Sequence, residues 1–97
     1  MHARVATFEG AQPEQVRELV DYIKTRAPSG PPEGVPATGL LLLHRAEEGK
    51  VISVSLFETE DDLRRGDEAL KAMDPPVPAG AGRRSSVEFY EVGVKLD

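Results

Sequence analysis

The chain has 97 residues, 39 % of them hydrophobic and 30 % charged, which is typical of one globular domain and leaves too little chain for two separate hydrophobic cores. It contains no cysteine, which excludes disulfides, thiolate nucleophiles and cysteine metal sites, and its two histidines are too far apart in sequence to predict a metal site. The net charge of -5 disfavours nucleic acid and anionic lipid, and the first ten residues lack the apolar run of a signal peptide or membrane anchor, so a cytoplasmic protein is expected.

The first part of the chain predicts a strand, a helix and a long loop. Residues 3–8 form a β-compatible run that is closed by Glu9 and Gly10. Pro13 suits the first turn of a helix, and the apolar residues after it recur at helical spacing. They are Val16, Leu19, Val20, Ile23 and Ala27. Residues 27–38 contain four prolines and two glycines, so they are predicted to form an irregular loop.

The middle of the chain predicts an antiparallel hairpin and a second helix. Residues 39–45 and 50–58 have strand composition and are joined by a polar turn that ends in Gly49. Thr59 then caps a helix whose first turn is acidic. The apolar stripe of this helix is Leu63, Leu70 and Met73, with Ala69 and Ala72 beside it. A glycine inside the helix, Gly66, indicates close packing against a neighbour.

The last elements complete a β-α-β-β-α-β order. Residues 74–82 are a second loop rich in proline and glycine, and residues 86–94 contain the β-forming side chains of a last strand. Two βαβ units with right-handed crossovers interleave into one four-stranded antiparallel sheet with both helices on one face. The prediction is therefore a single α+β domain of ferredoxin-like topology over residues 1–97.

The strands carry more apolar residues than a sheet covered on one side requires. Four consecutive leucines, residues 40–43, point to both faces of their strand. In the next strand, the drier of the two alternating sets is Ile52, Val54 and Leu56. This set is expected to meet the helices, while Val51 and Phe57 contribute to an apolar patch on the opposite face. The simplest cover for that patch is a second copy of the chain, with a mostly apolar cavity left beside the interface.

Several segments resemble the dimeric α/β-barrel superfamily, and within it the antibiotic biosynthesis monooxygenase-like group of small bacterial proteins. They are ARVATFEG in the first strand, GLLLLHR in the second, SVSLFETEDDL from strand to helix, and VEFYEV near the end. The resemblance implies a homodimer with a binding site between sheet and helices. The superfamily includes cofactor-independent oxygenases, polyketide cyclases, haem-degrading enzymes and members without known activity. The haem-degrading branch relies on Asn, Trp and His, and because this chain has neither Asn nor Trp, no cofactor is expected.

Two residues are candidates for proton transfer. His44, at the end of the second predicted strand, has a side chain that titrates near neutral pH. Tyr90 could donate a proton or a hydrogen bond to a phenolic or quinone-like ligand. The structural alternatives are a surface histidine and an aromatic side chain that fills the core.

Four other residues are candidates for ligand binding. Arg4 could offset the charge of an enolate, or it could be an ordinary edge-facing cation. Ser53 and Ser55 could give the cavity its polarity, or they could form cross-strand or subunit-interface hydrogen bonds. Phe57 is the aromatic residue before the acidic start of the second helix, and the resemblance implies that it lies in the pocket.

Two functions remain open. The first is a catalytically silent homodimer that binds a small hydrophobic ligand. The alternative is a cofactor-independent monooxygenase or cyclase that acts on an aromatic or polyketide-like metabolite. No convergent set of acid, base and oxyanion-stabilising groups can be named, which favours binding. RNA binding would require exposed aromatic residues and a basic face, and neither nucleic acid nor membrane is an expected partner.

Overall fold

A computed structural model describes residues 1–31, 34–72 and 83–96. The strands and helices are β1 (His2–Glu9), α1 (Pro13–Arg26), β2 (Gly39–Arg45), β3 (Lys50–Phe57), α2 (Glu60–Ala72) and β4 (Arg83–Glu91). A short 3₁₀ turn follows α1, and a second one joins β2 to β3. Met73 and the predicted loop 74–82 lie outside the described residues.

The four strands form one antiparallel sheet in the order β2-β3-β1-β4. The α+β class, the four-stranded antiparallel sheet and the two helices are thereby confirmed. The central strands are β1 and β3, and their register pairs Arg4 with Ser55 and Ala6 with Ser53. Arg4 therefore lies in the middle of the sheet, and its interpretation as an edge-facing cation is wrong.

The last strand begins and ends three residues earlier than predicted. Arg83 already pairs with Glu9 of β1, and Glu91 pairs with His2 at the other end of that strand. Beyond Glu91, the Val92 N–H donates a backbone hydrogen bond to the Met1 carbonyl. Val92 and Val94 have β-forming side chains but lie beyond the end of β1, so partner availability, rather than intrinsic propensity, ends the strand.

The two faces of β3 are opposite to the sequence-based prediction. Val51 and Phe57 are fully buried beneath the helices, and Ser53 and Ser55 point to the same side. Ile52, Val54 and Leu56 face away from the helices. The prediction that the drier set meets the helices is therefore wrong.

The buried apolar residues of the described core form two clusters. The α1 cluster comprises Ala6, Phe8, Ala11, Val16, Leu19 and Val51. The α2 cluster comprises Val35, Phe57 and Leu63. The first joins α1 to one end of β1 and β3, and the second joins α2 to the other end of β3. The helix-facing side of the sheet therefore has two ends, each packed against its own helix.

Helix α2 is fitted closely to the sheet. A Cβ atom built on Gly66 would lie 2.4 Å from Cε1 of Phe57, so only glycine allows the helix this close to the ring. The N–H of Asp62 donates to Oγ1 of Thr59 at 3.0 Å, which confirms Thr59 as the cap of the helix. These two contacts fix where α2 begins and how near it lies to β3.

The side of the sheet that neither α1 nor α2 covers is the open face, and it is rich in apolar side chains. Its apolar members include Val5, Leu41, Leu43, Ile52, Val54 and Leu56. Leu41 and Leu43 are 56 % and 50 % exposed, although they belong to a regular strand. The apolar patch predicted from the sequence is therefore present, but the other alternating set of β3 forms it.

Candidate functional site

A cavity of about 850 Å³ lies between the sheet and the two helices. Both core clusters contribute to its wall: Phe8, Leu19 and Val51 come from the α1 cluster, and Val35 comes from the α2 cluster. Its volume is within the range of small-molecule sites, roughly 300 to 1,000 Å³.

The floor of the cavity is built from neighbouring rows of the sheet. In one row Arg4 of β1 lies beside Ser55, and Ser55 lies beside Leu40 of β2. The next row consists of Ala6, Ser53 and Leu42. All six of these residues line the cavity. The polar groups of the floor are therefore concentrated near Arg4, and the apolar surface extends away from them.

Arg4 is a buried cation, with only 4 % of its side chain exposed. Its Nε donates a hydrogen bond to Oδ1 of Asp67 at 2.9 Å, and Lys71 binds the other carboxylate oxygen of Asp67 at 3.0 Å. The terminal nitrogen Nη2 of Arg4 is buried and has no hydrogen-bond partner among the described residues. The Nη2 group can therefore donate a hydrogen bond to a further acceptor. Because a buried donor without an acceptor is destabilising, such a hydrogen bond would be favourable.

Asp67 is held in its ionised form by its two cationic neighbours. Burial alone would raise the pKa of this carboxyl, but the hydrogen bonds from Arg4 and Lys71, together with their charges, outweigh burial and lower the pKa below its ordinary value of 3.8. Arg4 and Asp67 are therefore a charged pair at neutral pH. The chain brings them together from positions 63 residues apart.

The mouth of the cavity carries a second arginine. The guanidinium of Arg26, near the end of α1, stacks over the ring of Tyr22 at 4.6 Å from its centroid. Both residues line the cavity, and Arg26 is exposed. No aspartate or glutamate is found among the described lining residues. An acidic protein thus has a cavity whose lining side chains are neutral or positively charged.

The two candidates for proton transfer do not belong to the described lining of this cavity. His44 is an exposed residue on the edge strand β2, opposite Val51. Tyr90 lies on the open face, because β4 pairs it with Ala3, which is one residue out of phase with Arg4. A hydrogen bond to Glu88 raises the pKa of Tyr90 above its ordinary value of 10.0, so its hydroxyl keeps its proton at neutral pH.

The four candidates for ligand binding all lie on the helix-facing side. Arg4, Ser53 and Ser55 line the cavity together. Phe57 is fully buried against α2, where it supports the α2 cluster and does not form part of the described lining. Sequence reasoning missed Asp67, Lys71 and Arg26. The one available signal was Asp67 and Lys71 at i, i+4 spacing, but that pattern is common on exposed helices.

Comparison with known proteins gives no family for this chain, since no protein-family model and no curated protein matches it. Among the described residues, no cluster of three or more histidine and carboxylate side chains is arranged to hold a metal ion. None of the helices in this part of the chain combines the length and hydropathy needed to cross a membrane.

Proposed function

We propose that this protein binds a small, mostly hydrophobic ligand in the cavity between sheet and helices, and that it does so without catalysing a reaction. We further propose that the domain has the ferredoxin-like topology and forms a dimeric α/β barrel through its open face. The resemblance of its strands to the dimeric α/β-barrel superfamily motivates both parts of the proposal.

The observation that carries the proposal is the cavity whose wall is formed by both the α1 cluster and the α2 cluster of the core. A domain of 97 residues has little apolar surface to bury, and a cavity between its two clusters removes contacts that would stabilise it. A cavity of this size, lined mainly by apolar groups with a few polar groups, is the usual form of a small-molecule site. Ligand binding gives the cavity a role that offsets its cost in stability.

The positions of the titratable groups support binding in preference to catalysis. General acid and base catalysis requires a side chain within hydrogen-bond distance of the reacting atom. His44 and Tyr90 are outside the described lining of the cavity, and Tyr90 is on the other face of the sheet. The guanidinium of Arg4 has N–H donors and no acceptor, so it can donate hydrogen bonds to a ligand but offers no basic atom for proton abstraction.

The open face supports a homodimer. Its leucine, isoleucine and valine side chains form a continuous apolar patch over β1, β2 and β3. A patch of this kind on a small domain usually marks an interface. The same face of a second copy, related by a two-fold axis, would cover it with a surface of the same shape and hydropathy.

A neutral fluorophore tests the ligand site. N-phenyl-1-naphthylamine is expected to bind the wild type with a rise in fluorescence. Ser53→Phe fills the floor of the cavity and should weaken binding about tenfold or more, an effect of 1.4 kcal/mol or more. The matched control Ser86→Phe introduces the same side chain on an exposed site of β4 and should leave binding unchanged. Equal binding by the wild type and Ser53→Phe, both folded by circular dichroism, would exclude the cavity as the site.

A further inference from the structure

We propose that the ligand of this cavity is a monocarboxylic acid with an apolar body, and that its carboxylate accepts hydrogen bonds from the guanidinium of Arg4. The inference rests on the proposed function, because it specifies the ligand of the same cavity. Three features of the described residues support it: the balance of charge, the unused donors of Arg4 and the apolar remainder of the wall.

The charges around Arg4 do not balance. Arg4 and Lys71 contribute two positive charges, and Asp67, which they share, contributes one negative charge. The side chain of Lys71 is half exposed, so solvent screens its charge, but the side chain of Arg4 is almost completely buried. Since the described lining contains no carboxylate, a ligand anion would supply the missing negative charge.

The hydrogen bonds of Arg4 are equally incomplete. The guanidinium has five N–H donors, and the hydrogen bond from Nε to Asp67 is the only one that it makes to a described residue. Nη2 is buried without an acceptor. Ser55 is the cross-strand neighbour of Arg4, and its hydroxyl makes no hydrogen bond within the described part of the chain. One oxygen of a carboxylate can accept from Arg4 while the other accepts from Ser55.

The rest of the wall selects a ligand with a single charge and an apolar body. Beyond the row of Arg4 and Ser55, most of the floor and of the α1 side is apolar, although Ser53 also lies on the floor. The apolar residues are Ala6, Phe8, Leu19, Ile23, Leu42 and Val51. Buried apolar surface of this kind favours an aromatic or aliphatic ligand body. Of the two arginines in the described lining, only Arg4 is buried, because Arg26 is exposed at the mouth. A dianion such as a phosphate monoester would carry more negative charge than this one buried cation could neutralise.

Isothermal titration calorimetry at pH 7 with a matched pair of ligands tests the inference. Naphthalene-2-carboxylate and naphthalene-2-carboxamide have almost the same shape and differ in charge. The wild type is expected to bind the carboxylate at least about tenfold more tightly, since a charge-assisted hydrogen bond replaces a neutral one. Arg4→Met should abolish this preference. Arg64→Met removes an exposed arginine of α2 that is paired with Glu60, and it should keep the preference.

Asp67→Asn provides a test with the opposite sign and covers the case in which Arg4→Met fails to fold. Neutralising Asp67 leaves the charge of Arg4 without its internal partner, so the carboxylate should bind more tightly and the carboxamide should not.

The outcomes separate this inference from the proposed function. A wild type that binds the neutral fluorophore but shows no preference for the carboxylate overturns the inference and leaves the proposed function intact. A preference that survives in Arg4→Met, or that does not increase in Asp67→Asn, also overturns it. If neither naphthalene compound nor the fluorophore binds, both are overturned.

Discussion

At the scale of single residues, Arg4 is stabilised by side chains that come from the other half of the chain. A buried cation is strongly destabilising unless it is paired, and the carboxylate of Asp67 supplies that pair at 2.9 Å. Asp67 in turn has Lys71 as a second cationic partner one helical turn away. The hydrogen bonds of this group depend on the ionised state of Asp67, and therefore on pH.

We expect Asp67→Asn to destabilise the protein more at pH 7 than at pH 3. The folded-state pKa of Asp67 is lowered, so its ionisation contributes stability above about pH 4, its unfolded value, and this contribution is lost as the pH falls through the folded pKa. Urea denaturation at pH 7 should show a loss of about 2 kcal/mol in the free energy of unfolding, the size typical of hydrogen bonds to charged groups. The exposed control Asp21→Asn should change stability by less than about 0.5 kcal/mol at both pH values. An equal loss for Asp67→Asn at pH 7 and pH 3 would contradict the assigned pKa direction.

The candidate site could be predicted from the sequence only in part. Ser53 and Ser55 can be selected because their hydroxyl groups stand out on an otherwise apolar strand, and Arg4 because its charge could offset that of an enolate. All three line the cavity. The partner of Arg4 cannot be selected, because Asp67 is one of many carboxylates and nothing local connects two residues that are 63 positions apart. The chemistry of His44 and Tyr90 makes them candidates, but the sequence does not show that His44 is exposed on an edge strand or that the register places Tyr90 on the open face.

At the scale of elements, the contact between β3 and α2 determines which face of the sheet is covered. Phe57 has no exposed surface, and its ring occupies the space that a side chain at position 66 would need. The large ring and the missing side chain are complementary. They bring the helix axis close to the strand.

Gly66→Ala should therefore destabilise the protein, although alanine is the better helix former. On an exposed helix this substitution stabilises by about 1 kcal/mol, whereas a clash in a packed core typically costs about 1 to 3 kcal/mol. The free energy of unfolding from urea titration measures the sign. In a Phe57→Leu background the added methyl group meets a smaller side chain, so the same substitution should cost less. A stabilising effect of Gly66→Ala in the wild type would show that the helix lies farther from the strand.

Thr59→Ala should cost about 1 kcal/mol of stability, because it removes the side-chain acceptor for the Asp62 N–H at the start of α2. Thr59→Ser keeps the hydroxyl and should stay within a few tenths of a kcal/mol of the wild type, as measured by the same urea titration. If serine proves as destabilising as alanine, the hydroxyl is not the stabilising group.

The alternation of residues along β3 predicts the strand correctly but assigns its two faces to the wrong sides of the sheet. Both alternating sets of this strand contain large apolar residues, and the set with the two serines is predicted to face away from the helices because a packed core excludes hydroxyl groups. The helix side contains a cavity, and the serines lie on its floor. The informative signal was the pair Phe57 and Gly66, since a glycine inside a helix requires a bulky neighbour and the aromatic residue just before that helix can provide it.

At the scale of the whole molecule, the two sides of the sheet differ in shape and in charge. The helix-facing side contains the cavity and its positive charge, and the open face presents an apolar patch. Overall composition cannot reveal this division, because the net charge of -5 describes the average surface and not the cavity wall. Leu40 and Leu41 allow the two sides of the sheet to be tested separately. They are adjacent in β2 and similarly exposed, at 49 % and 56 %, but their side chains point to opposite sides of the sheet.

Leu41→Lys should abolish the proposed dimer, and Leu40→Lys should preserve it. A lysine on the open face would introduce a charge into an apolar two-fold interface, where it has no partner, whereas a lysine at position 40 lies at the cavity side of an edge strand. Sedimentation velocity at micromolar concentrations should give a dimer for the wild type and for Leu40→Lys and a monomer for Leu41→Lys. Because dimerisation stabilises the folded state by mass action, the midpoint of thermal unfolding should also rise with protein concentration in the two dimeric proteins and stay constant in Leu41→Lys. A monomeric wild type with a constant midpoint would contradict the dimer and leave the cavity, which is lined by residues of a single chain, as the site to be tested.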